Sequence, residues 1–285
     1  MSLWALSNPD DLVSLQRSSA VNGMIRNPYQ IPTLEECPEC GNSGGLGGII
    51  PIECPQELRE LLETHIDHGE YINLSHEEYG KVVDVARKYF REKDIIAGSR
   101  LLPLYWHVPS PPEQSVFWPG LRCIFHESLV AALEQNQVTG LKYIPIEVAR
   151  VGSLRVDNKS WNRKLDSLDD SEMLEASRPF VDNVERYGNF FLVEAEEKVF
   201  YRMANELNWI FCSTCGHVKE EPNHDQYQEM VETWSQDFVI PRRFVPDLDV
   251  FKCPGLGRFV INDKVKEILK DSESGNFMTK AVRII

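Results

Sequence analysis

Four cysteines stand in two motifs of the same form, Cys37-Pro-Glu-Cys40-Gly41 and Cys212-Ser-Thr-Cys215-Gly216. A C-x-x-C turn aims two thiolates at one centre, and the following Gly permits the backbone turn that brings amides up to sulfur. Two such knuckles supply the four soft ligands of a tetrahedral zinc site. Their separation, about 170 residues, is long for a zinc ribbon, so a large insertion must lie between them. A shared structural zinc at Cys37, Cys40, Cys212 and Cys215 is therefore one expectation. A thioredoxin-type dithiol is a second, although Gly after each second Cys disfavours the helix such a site needs. Unmetallated thiols are a third. A four-sulfur zinc has no open coordination position and would not itself be catalytic.

The remaining residues offer less chemistry. Cys54 is a substitute ligand by spacing, and Cys123 and Cys253 sit in apolar text that reads as core. His65 and His68 lie three apart at the end of a predicted helix, with no third ligand at a useful spacing. His76-Glu77-Glu78 lacks the second His of a zincin motif. The Gly-rich stretch Gly44–Gly48 reads as a flexible turn, not a phosphate cradle. The acids between 166 and 175 read as a solvated run. No set of residues assigns nucleophile, base and oxyanion donor together, so the chain is not expected to be an enzyme.

The elements that must position the knuckles follow from periodicity. Leu58, Leu61, Leu62 and Ile66 predict a helix from Pro55. Ser75 and Glu78 form a capping-box pattern ahead of a helix with Val82, Val85, Ala86 and Tyr89 on one face. Residues 103–119 predict a loop or edge strand, and 190–195 a strand. Two stretches echo each other, 118–148 and 253–284. Both begin Pro-Gly-Leu, continue through an amphipathic segment to Gly140 or Gly275, and end in alternating apolar residues. This predicts two similar strand-helix-strand units, either duplicated or drawn from a small menu of motifs. The expected fold is mixed α+β, a single domain over 1–285 with a polar insertion over about 153–180. Within the insertion, Trp161 is the candidate surface anchor.

The chain has 285 residues and a net charge of −14, with the acid spread over both halves. That balance argues against a nucleic-acid or anionic-membrane binder and suits a basic partner. The odd cysteine count and the absence of a signal-peptide pattern or an apolar run of membrane length point to a reducing, cytoplasmic setting.

With the two C-x-x-C-G motifs, the text PGLRCIFHESLVAALEQNQVTGL and the later PDLDVFKCPGLGRFVINDKVKEIL, the chain from Cys37 onward resembles the double-CxxCG motif family, of myxobacterial type. Its C-terminal pattern is also similar to a wider group of polymorphic-toxin immunity proteins. The resemblance implies an immunity protein that binds and neutralises a toxin delivered between kin cells, with metal positions at Cys37, Cys40, Cys212 and Cys215. This chain is longer than that pattern around 153–200, so the family's toxin-binding surface does not carry over. The alternatives from the residues themselves are a thiol oxidoreductase, a metal-dependent enzyme or a nucleic-acid-associated ribbon, the last opposed by the acidic charge.

Overall fold

The computed structural model describes residues 2–7, 24–26, 29–67, 70–91, 94–108, 112–119, 122–150, 189–256, 259–272 and 277–285. Trp161, His68, Gly275 and the predicted insertion over 153–180 lie outside them. The strands of the first half are β1 (Leu3–Ser7), β2 (Met24–Arg26), β3 (Ile49–Glu53), β4 (Ile66–Asp67), β5 (Glu70–Tyr71), β6 (Arg100–Leu102), β7 (Tyr105–Val108), β8 (Val116–Phe117), β9 (Ile124–His126) and β10 (Leu141–Arg150). Those of the second half are β11 (Phe190–Ala195), β12 (Ile210–Phe211), β13 (Val218–Glu220), β14 (Val239–Ile240), β15 (Val250–Phe251), β16 (Phe259–Asn262) and β17 (Met278–Ile284). Six α-helices accompany them among the described residues: α1 (Gln56–Glu63), α2 (His76–Ala86), α3 (Glu127–Gln135), α4 (Val199–Glu206), α5 (His224–Asp237) and α6 (Asp263–Asp271). The chain is thus mixed helix and strand.

Two sheets follow one plan. The first has the order β2-β7-β10-β11-β9-β8, the second β14-β17-β1-β16-β15. In each, a strand-helix-strand unit (β9-α3-β10 or β16-α6-β17) leaves a gap between its two strands. A third strand, β11 or β1, fills the gap antiparallel to both neighbours. The register is the same in the two sheets. Phe191 lies opposite Phe125 and Pro145, and Trp4 lies opposite Ile261 and Ala281. Phe125 and Ile261 each directly precede a helix N-cap, His126 or Asn262, whose side chain accepts a backbone amide. The likeness extends beyond the echoed text: β8 and β15 flank antiparallel on one side, β7 and β14 flank parallel on the other.

Residues 105–108 depart from the loop-or-edge expectation. β7 lies between β2 and β10, and its Trp106 is fully buried against Phe117 and Phe190, with ring centroids 4.7 and 5.3 Å away. The Pro residues that suggested an edge flank this strand without entering it.

α3 and α6 pack together, and Leu129 and Leu133 share a core with Val265, Leu269, Val193, Leu6 and Ile261. The two units therefore bury their helix-bearing faces against one another. A polar clamp closes the seam. Asp249 accepts hydrogen bonds from the Thr139 amide (2.9 Å), the Thr139 hydroxyl (3.1 Å) and the Asn262 side-chain amide, with the Lys264 ammonium at 3.5 Å. Burial pushes the Asp249 carboxyl up, but these donors and the cation outweigh it and hold it below its ordinary value. A depressed folded value gives stability that is complete above the unfolded value, about 3.9, and is lost as pH falls through the folded one. Asp249→Asn should therefore be less stable than wild type at pH 7, with the gap closing below about pH 4. Denaturant midpoints of the two proteins measure that gap, from which acid-driven changes common to both cancel. A gap of the same size at pH 3 would refute the clamp.

Residues 29–102 gather around a separate core of Ile31, Leu34, Leu58, Leu62, Leu74, Val82, Ala86 and Leu101. The capping box at Ser75 and Glu78 is present, and α2 buries Tyr79, Val82 and Ala86. Tyr89, expected on that face, follows the helix and is exposed, with its hydroxyl donating to Glu57. Cys212 and Cys215, from the distant β12–β13 hairpin, belong to this same core.

Candidate metal centre

The two knuckles are built alike. The Gly41 amide donates to the Cys37 carbonyl (2.8 Å), and the Gly216 amide to the Cys212 carbonyl (3.0 Å). The Cys37 amide bonds the Asn42 carbonyl and the Cys212 amide the His217 carbonyl, both at 2.8 Å. Both glycines hold a left-handed backbone, φ 74° and 75°, which a residue with a Cβ adopts only at a cost.

The four thiols converge. Cys37 and Cys212 approach to 3.5 Å, as do Cys40 and Cys215, and all four sulfurs lie within 4.8 Å of one another. Sulfurs at the corners of a tetrahedron with metal–sulfur bonds of about 2.3 Å stand about 3.8 Å apart. The arrangement fits one metal ion with four soft ligands, and Cys37, Cys40, Cys212 and Cys215 could hold one. Three of the four are buried, and Cys40 is half-buried.

The surroundings favour thiolate at some corners and resist it at others. At Cys40 burial pushes the thiol up, but hydrogen bonds from the Asn42 backbone and neighbouring thiols overcome it and bring it down to about 7. Burial pushes Cys212 up to about 11 and raises Cys215 as well. Four adjacent thiolates repel one another without a cation among them; a bound dication reverses that balance and deprotonates its ligands.

Three residues around the sulfurs carry weight that sequence reasoning did not give them. Asn42 donates through its side chain to Cys40 sulfur at 3.5 Å, and His217 Nδ1 lies 3.4 Å from Cys215 sulfur. Each stands two places after the second Cys of its motif, so the repeated position was the available signal. Glu39 crosses from one knuckle to the other. Its carboxylate accepts from the Ser213 hydroxyl (2.8 Å), the Thr214 amide (3.3 Å) and the Thr214 hydroxyl (3.2 Å). Hydrogen bonds from Cys212 and Ser213 bring Glu39 down to about 2. Such a carboxylate stays ionised throughout the range in which thiolates bind metal.

The lobe grips the second knuckle by backbone. The Leu46 amide bonds the Cys215 carbonyl (2.7 Å), and the Ala97 amide the Thr214 carbonyl (3.0 Å). The Gly-rich stretch is thus not a free turn: a Cβ at Gly45 would lie 2.3 Å from the Ala97 carbonyl oxygen. Cys54 is not a ligand. It is buried outside the four-sulfur group, and burial pushes its thiol up to about 12. Cys123 and Cys253 are buried in the sheet cores, as their apolar context predicts. His65 follows the end of α1, away from this cluster. No helix among the described residues is long and apolar enough to cross a membrane. No protein-family profile, curated protein or solved structure matches this chain.

Proposed function

We propose that this chain is an immunity protein that binds and neutralises a cognate protein toxin in the cytoplasm, and that one structural zinc ties its N-terminal lobe to its C-terminal half. The observation that carries the reading is the meeting of two like-built C-x-x-C-G knuckles, from opposite halves of the sequence, in one four-thiol cluster. Their motif is the one on which the resemblance to double-CxxCG immunity proteins rests. Zinc is the ion of choice because four thiolates in tetrahedral array match its preferred donor set, and such a site is closed to substrate. The net charge of −14 supplies the second support: an acidic body accelerates encounter with a basic toxin and disfavours acidic competitors. Covering a toxin's site requires surface complementarity and no catalytic group.

Expression of the neighbouring gene product, alone and together with this chain, tests the reading. Growth arrest by the neighbour and recovery when this chain is present is the expected result. A harmless neighbour, or arrest that this chain does not relieve, refutes it.

A further inference from the structure

The two units differ most informatively beside their helices. In the second unit the Lys266 ammonium lies over the Trp4 ring, and Trp4 Nε1 donates to Asp263 at 2.8 Å. The aromatic ring, the acid at the first position of the helix and a cation one turn along the helix therefore form a filled site. In the first unit Phe191 takes the place of Trp4 and Glu127 that of Asp263, but Val130 stands where Lys266 would be. The ring and the acid remain, and the cation is missing.

The space beside them is open. A groove of about 650 Å³ is lined by His126, Glu127, Ala131, Glu134, Tyr143 and Phe191, together with Ser128 and Val130, and by no Lys or Arg among the described residues. The Tyr143 hydroxyl is buried and has no hydrogen-bond partner among the described residues. Tyr143 and Phe191 meet edge to face with centroids 6.4 Å apart. Burial, and then the Glu134 carboxylate, push the Tyr143 phenol up to about 12, so it stays neutral in that carboxylate's field. Asn189 holds the Glu127 carboxylate in place through a 2.7 Å hydrogen bond. A buried hydroxyl without a partner is costly, and a ligand that donates to it removes the cost. A planar guanidinium has donors for the phenol oxygen and for a carboxylate at once, and its face packs on aromatic carbon.

We propose that this groove binds an arginine side chain of a basic protein partner, in the place that Lys266 fills within the second unit. The immunity reading enters only in saying which partner brings the arginine.

The test uses the full chain and a short peptide, acetyl-Gly-Ser-Arg-Ser-Gly-amide, followed by amide NMR. Saturable shifts at Ala131, Glu134 and Phe191 are expected, with none from the same peptide carrying citrulline. Glu134→Gln should weaken binding about tenfold, Tyr143→Phe should weaken it too, and Val130→Lys should abolish it by supplying the cation internally. Glu229→Gln, which removes an exposed acid on α5, should leave it unchanged. Equal losses in Glu134→Gln and Glu229→Gln, or shifts spread over the surface without saturation, would overturn the proposal. So would saturable binding of spermidine with none of the arginine peptide. In the growth assay, full protection by both Glu134→Gln and Val130→Lys would remove the groove from toxin binding and leave the immunity reading standing. A wild type that fails to protect sinks that reading alone, and the peptide titration still decides the groove.

Discussion

Purified under reducing conditions without chelator, the chain should carry one zinc per molecule, and Cys212→Ser should lose both the metal and much of its stability. The four thiols come from positions 37, 40, 212 and 215, so a metal bound among them would close a loop of more than half the chain. In small domains the binding free energy of structural zinc is on the order of 10 kcal/mol at neutral pH, and it is folding free energy. Losing even a few kcal/mol lowers the melting temperature by roughly 10 °C in a chain of this size. The loss should reach both sides of the junction. Amide exchange should rise in the 29–102 lobe as well as in the β12–β13 hairpin, because Leu46 and Ala97 bond the Cys215 and Thr214 carbonyls. A Cys212→Ser protein with unchanged zinc and melting would dismiss the shared centre. Metal-free protein whose thiols cycle with thioredoxin would favour the dithiol reading.

Gly140→Ala should be the most damaging single change outside the cysteines. Gly140 sits between α3 and β10 with φ 92°, and a Cβ there would lie 2.0 Å from the Val250 carbonyl oxygen, on the other unit. Neither atom has room to move, because the Val250 amide bonds the Thr139 carbonyl and the Gly140 carbonyl accepts from Glu196. Backbone strain and displacement of the β15 ladder together should cost about 3 kcal/mol or more. Equilibrium denaturation reads this directly. A cost under about 1 kcal/mol, the size of an ordinary surface change, would mean that the two units can separate there freely.

Much of the four-thiol cluster was legible because the chemistry of paired C-x-x-C turns leaves little choice. Two C-x-x-C-G turns can do few things, and the pairing of Cys37 and Cys40 with Cys212 and Cys215 needs only that the chain return to them. Glu39 was not legible, since its partners Ser213 and Thr214 are distant in sequence and carry no motif of their own. The echoed units were readable from Leu129, Leu133, Val265 and Leu269, whose helical spacing the two stretches share. The flanking strands were not: β8, β14 and β15 are two residues long, too short to show any alternation. The fillers β1 and β11 share no recognisable text, because each is specified only by the pleat it must enter. The strand over 105–108 was misread for a related reason: prolines near a strand suggest an edge, although only a proline inside it removes a ladder bond.

The filling of the second sheet by β1 has a consequence for biosynthesis. Leu3, Ala5 and Leu6 are made long before their partners on both sides, β16 and β17. The first sheet can close as soon as β11 emerges; the second must wait for β17. Until then β1 is an apolar segment with unpaired amides and carbonyls, the sort of edge that chaperones shield and that strand exchange between copies can capture. The contact that completes this sheet joins strands far apart in sequence, and pairing at such a separation is slow.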